Sequence, residues 1–164
     1  MSDDTTLLRH TIATLAYRLE KVIRDVPPDF DSFEAGADIR TPLSILGHIG
    51  DLAEWGERLS HGEYRWTPIG GLSWDEQRDR IFASLARMDA RLAEGALGGP
   101  PGQIFQGPIA DALTHVGQLA MLRRMAGRPV RAESYARAEI EVGKVGLDQS
   151  AKRVEFDGDA SGRK

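Results

Sequence analysis

Residues 41–60 read TPLSILGHIGDLAEWGERLS. Ile45, Ile49, Leu52, Gly56 and Leu59 recur at steps of four and three, the spacing of one face of an α-helix. Asp51, Glu54 and Arg58 fall on the other side. Thr41 has the side-chain oxygen that caps a first helical turn, and Pro42 suits the first helical position, where its missing N–H costs nothing. The stretch predicts a helix over about Pro42–Ser60. Its apolar stripe needs a partner surface.

Other segments supply that surface. From about Leu7 to Val26, Leu8, Ile12, Leu15, Leu19, Val22 and Ile23 form a stripe, with His10, Tyr17, Lys21 and Arg24 opposite, until Pro27 and Pro28 stop the helix. From about Trp74 to Glu94 the stripe is Trp74, Ile81, Phe82, Leu85, Met88 and Leu92. Ser73 and Glu76 form a capping box at its start, and the Gly/Pro run 98–102 follows its end. From about Pro108 to Ala126, Ile109, Ala112, Val116, Leu119 and Ala126 form the last stripe, with Gly127 and Pro129 beyond it. No alternation is long enough to build a sheet. Residues 134–142 are consistent with a short fifth helix. Four amphipathic helices can bury their stripes only against one another, so the expected fold class is all-α, a four-helix bundle. The His61–Leu72 connection has 12 residues. Extended, it spans ~40 Å, more than the ~28 Å of a 19-residue helix, and so permits a crossover that leaves the second and third helices parallel.

Composition sets the outer bounds. The chain has 164 residues, 41% hydrophobic and 28% charged, which fits one globular domain. We expect that domain over residues 1–149, with a polar tail, 150–164, lying on the surface or mobile. The 21 basic against 25 acidic residues give a net charge of −4. With no basic block, a nucleic-acid surface is not expected. There is no cysteine, which excludes disulfides, a cysteine nucleophile and thiolate metal sites. No apolar run reaches the ~20 residues of a membrane span, and the polar N-terminus is unlike a signal peptide, so a cytoplasmic protein is expected.

Of the four histidines, only His48 and His115 lie beside apolar stripes, about 60° and about 70° from their centres at ~100° per residue. Asp111 precedes His115 by four residues, so the two side chains share a helical face one turn apart. Taken singly, a boundary histidine is more often a hydrogen-bonded residue at the core edge, and Asp111 suits a helix N-terminus. Taken together, two imidazoles and one carboxylate facing a bundle interior make a three-ligand set with a fourth position open, as in catalytic zinc sites. There is no His-Glu-x-x-His, no paired Glu-x-x-His, no phosphate-binding glycine loop and no nucleophile elbow. Gln118 lies one turn beyond His115, within reach of a ligand. Arg123 sits inside the last stripe, where a snorkelling stem is the commoner role than an anion contact. Tyr64, Trp66 and Trp74 gather around the long connection, either covering the bundle end or walling a pocket.

TPLSILGHIGDLAEW (residues 41–55) together with DALTHVGQLAMLRRMAG (residues 111–127) resembles the DinB-like superfamily of metal-binding four-helix bundles. His48 matches the family's helix-two histidine. His115, with Gly117 and Gln118, matches its His-x-Gly-Gln motif. Asp111 replaces the usual histidine of the helix-four pair. It is one methylene shorter than the glutamate of the related mycothiol-dependent maleylpyruvate isomerases. The resemblance covers roughly residues 5–130. It implies an up-down-down-up bundle and a divalent ion, with zinc first and nickel, iron or manganese as alternatives, at His48, Asp111 and His115. It also implies a small-molecule substrate and a hydrolase or a small-thiol-dependent transferase. Without a cysteine in the chain, any thiol is a low-molecular-weight co-substrate. The competing expectation is a non-enzymatic helical interaction or stress-response module with a structural or vestigial metal site. Met121 and Met125, on one face away from the core stripe, predict a homodimer contact.

Overall fold

A computed structural model describes residues 3–156. They form α1 (Asp3–Ile23), α2 (Pro42–Ser60), α3 (Trp74–Ala93), the short α4 (Pro101–Ile104) and α5 (Ala110–Met125). A π-helical turn, Phe105–Ile109, joins α4 to α5. Two 3-10 turns, Phe30–Ser32 and Tyr135–Arg137, and an antiparallel pair, β1 (Ala132–Glu133) with β2 (Glu155–Phe156), complete the described elements. The protein is mostly helical. Among the described residues, no helix is long and apolar enough to cross a membrane.

The local signals act as their chemistry dictates. The Thr41 hydroxyl accepts from Ser44 N at 3.3 Å, and Pro42 opens α2. Ser73 and Glu76 exchange hydrogen bonds at the start of α3, satisfying two N–H groups that the helix leaves free. The stripes meet in one core: Ile12, Leu19, Leu46, Ile49, Ile81, Leu85, Ile104 and Leu119 are all fully buried. Each such side chain contributes roughly 1.5–3 kcal/mol by leaving water.

Contacts fix which helices adjoin. Along α2 and α3 the pairs climb together: Arg80 donates to Gly47 O at 3.0 Å, and further on Arg87 donates to Glu57 at 2.7 Å. Between α2 and α5 they run oppositely, His48 beside His115 and Gly56 against Pro108. Arg9 of α1 forks onto Asp89 near the end of α3 at 2.9 and 3.0 Å. The 61–72 connection lies back along α2. Tyr64 meets Trp55, Trp66 meets His48, and Ile69 N donates to Asp51 at 2.9 Å.

The structure departs from the sequence expectations in five places. Helix resumes at Pro101, not near Pro108, and Pro108 lies inside it. Proline lacks an N–H and crowds the carbonyl four residues back; the wider π turn, in which Ala110 N reaches Phe105 O, relieves that conflict. α1 ends at Ile23 because Asp25 takes a left-handed φ of 50°, and the α1 carbonyls are met by Arg123. The expected helix over 134–142 is replaced by β1 and a 3-10 turn. Finally, Tyr17 and Lys21 are not on an open face. Residues 132–156 cover them, with Lys21 Nζ 2.6 Å from Glu133 and 3.0 Å from Glu155. Arg153, expected in the polar tail, is tucked 4.0 Å over the Tyr17 ring and 2.5 Å from Glu20.

Candidate metal centre

Two elements bring three side chains together. α2 presents His48, and α5 presents Asp111 and His115 one turn apart. Asp111 is the second residue of α5, directly after the π turn, so that turn sets the phase in which α5 faces α2. Gly56 and Gly107 let the helices close here. A β-carbon on Gly56 would sit 3.2–3.3 Å from Met88 and Pro108, and one on Gly107 3.2 Å from the Trp55 ring.

His48 Nε2 lies 3.7 Å from Asp111 Oδ2, and His115 Nε2 lies 3.4 Å from Asp111 Oδ1. One donor atom from each residue falls within 4.8 Å of the others. Two ligands on one tetrahedral ion with bonds of ~2.0–2.1 Å lie ~3.3 Å apart, so the spacing fits a single ion after small side-chain adjustments. His115 Nδ1 is 2.8 Å from Gln118 Oε1. A carbonyl oxygen only accepts, so a proton on Nδ1 would be donated to Gln118, and Nε2 is the ring nitrogen on the Asp111 side. Burial, helped by the neighbouring His115, pushes the His48 pKa down against the pull of Asp111. Both effects of the surroundings favour the neutral imidazole that a metal requires. The His48 ring meets Trp66 edge-on at 5.7 Å, which restricts its rotation. The Asp111 side chain is 48% exposed, leaving the cluster open on one side.

The remaining candidates separate clearly. Gln118 joins the cluster, as described. Trp66 walls it, whereas Trp74 packs on Phe30 at 5.8 Å. His10 and His61 are exposed and stand outside the cluster. Asp51 and Glu54 face α3 rather than solvent, because Arg80 draws them to 3.0 and 3.3 Å. Arg123 is buried and donates to Val22, Arg24, Asp25 and Arg128 carbonyls, so its charge is spent on backbone. A cavity of about 620 Å³ opens beside His48 and His115 and is lined in part by Ile39 and Arg40. The loop that carries these two has no periodicity, so no sequence signal marks them.

Compared with known proteins, the chain matches no family model, and no curated protein or solved structure matches it.

Proposed function

We propose that this protein is a metal-dependent, DinB-like four-helix bundle. The contacts that climb together along α2 and α3 and run oppositely along α2 and α5 support an up-down-down-up order with the 61–72 crossover. His48, Asp111 and His115 hold a divalent ion, zinc first. A bound ion of this kind supplies Lewis acidity that lowers the pKa of water towards ~7 and equally favours a thiolate. Around it, Gln118 keeps His115 in the ligating tautomer, and Trp66 holds His48 in place. The reaction class is hydrolysis or transfer from a low-molecular-weight thiol.

The observation that carries this reading is the convergence of three donors from two helices, with His115 Nδ1 held 2.8 Å from Gln118 Oε1. The test is elemental analysis after loading with zinc or nickel and desalting. Wild type retains about one ion per chain; His48→Ala and His115→Ala retain none while keeping helical circular dichroism, and Asp111→Ala binds more weakly. A wild-type protein that keeps no metal rejects the reading. Titrating the cobalt-loaded protein with a small thiol then separates the reactions. A thiolate absorption band that is absent in His115→Ala supports transfer, and an unchanged spectrum leaves hydrolysis or a structural ion.

A non-catalytic module is the second reading, favoured by the commitment of Asp51 and Glu54 to Arg80, which ties up two of the carboxylates near the cluster. Met121 and Met125, 58% and 51% exposed, form the face we assign to a homodimer; both also line the cavity beside the imidazoles, so that contact would border the cavity. Light scattering at tens of micromolar that gives the 18.0 kDa of one chain rejects that assignment.

A further inference from the structure

The cavity beside the imidazoles, at about 620 Å³, falls within the ~300–1,000 Å³ typical of small-molecule sites. Ile39, Ile45, Met121, Leu122 and Met125 make most of its wall apolar, and His48 and His115 also line it. It therefore adjoins the candidate metal centre through those two imidazoles. The loop before α2 adds two charged side chains, Asp38 and Arg40. Arg40 has no hydrogen-bond or ion-pair partner among the described residues. Arg40 and His48 line this cavity together and also share the neighbouring one beside residues 68–72, so the guanidinium lies on the imidazole side. With the Asp38 carboxylate on the same lining, the exposed Arg40 is the group that can meet an anionic head and the apolar wall the part that can meet an apolar body, so the cavity favours a ligand that joins the two. A guanidinium matches a carboxylate with two parallel hydrogen bonds.

We propose that this cavity binds an apolar monocarboxylate, its chain against Ile39, Ile45, Met121 and Leu122 and its head at Arg40 beside His48 and His115. The proposal rests on the reading above only in making the imidazole end the reacting end.

Isothermal titration of metal-free and zinc-loaded protein with octanoate, 1-octanol and octylamine tests it. Octanoate binds at least tenfold more tightly than 1-octanol, and octylamine binds most weakly. Arg40→Gln lowers octanoate affinity to that of 1-octanol. Ile39→Glu weakens it at least tenfold. Both positions are exposed, so the fold tolerates the changes. Leu7→Ser, in the separate groove between α1 and α4, leaves octanoate binding unchanged. No octanoate binding, equal affinity for octanoate and 1-octanol, or an unchanged Arg40→Gln variant overturns the proposal. If zinc is not retained but octanoate is still preferred, the metal reading fails and the cavity assignment stands. If zinc is retained and octanoate is ignored, the reverse holds.

Discussion

Gln118 Oε1, 2.8 Å from His115 Nδ1, would favour the proton on that nitrogen and so leave Nε2 for the proposed ion. Groups that orient a ligating histidine typically change metal affinity by ~10–100-fold when removed. Gln118→Ala is therefore expected to weaken zinc binding by about tenfold or more in a chelator-competition titration, with the thermal midpoint of the metal-free protein unchanged. An equal loss of both would give Gln118 a purely structural role. A second residue-scale expectation comes from the buried clasp on α1. Tyr17 donates to Glu133, and burial together with that hydrogen bond pushes the tyrosine pKa up to about 12 from 10.0. Burial alone would raise the Glu133 pKa, but hydrogen bonds from Lys21 and Tyr17 hold it below its ordinary 4.5. A raised folded-state value stabilises the protein fully below pH 10.0 and is lost as pH climbs to about 12. A depressed carboxylate value stabilises above pH 4.5 and is lost on acidification. Urea unfolding across pH is thus expected to lose stability at both ends of the 4.5–10 window. Tyr17→Phe should flatten the alkaline limb; an alkaline limb identical to wild type would refute the assignment.

At the scale of elements, two segments are stitched at backbone distance. Gly98 N donates to Ser60 O at 2.8 Å, and a β-carbon on Gly98 would lie 2.5 Å from the His61 carbonyl carbon. Backbone on both sides leaves no flexible side chain to yield. Gly98→Ala is expected to cost about 1–3 kcal/mol in chemical denaturation, as overpacking generally does. Gly102→Ala, with no atom within 4 Å of the added carbon, should be near neutral and serves as the control. The same scale explains what was legible beforehand. Thr41 with Pro42, and Ser73 with Glu76, act within three residues, so helix starts could be read directly. Asp111 and His115 share one helix, and their common face follows from their spacing. That His48 meets them depends on how α2 packs on α5, which periodicity does not contain. The segment after Met125 was least legible because its partners are remote. Glu133 binds Tyr17 and Lys21 across 116 and 112 residues, and Arg153 binds Glu20 across 133. Polar residues that are buried by such distant partners carry the pattern of an exposed face.

At the scale of the whole molecule, residues 132–156 act as a strap over α1, and its ionic contacts are buried. The side chains of Lys21 and Glu133 are 2% and 0% exposed. Removing one partner of such a pair leaves a charge in a dry site, a loss of roughly 3–5 kcal/mol where no second partner exists. Lys21 keeps Glu155 at 3.0 Å, so Glu133→Ala is expected near the lower end, about 3 kcal/mol by urea denaturation. A change below ~0.5 kcal/mol would show that the strap contributes little. Zinc retention should be unaffected, since the centre lies between α2 and α5.

The same-direction contacts of α2 and α3 bear on how the chain reaches this state. Gly47 meets Arg80 across 33 residues, and Glu57 meets Arg87 across 30. Two helices joined as a tight hairpin begin to zip at the turn, where the loop to be closed is shortest. Here the first α2–α3 contact already requires a loop of about 30 residues to close. The connection that closes it also carries Trp66 onto His48 and Ile69 onto Asp51. Ordering of the 61–72 connection is therefore expected to accompany the pairing of the helices it links, so that the wall beside the histidines forms together with that pair.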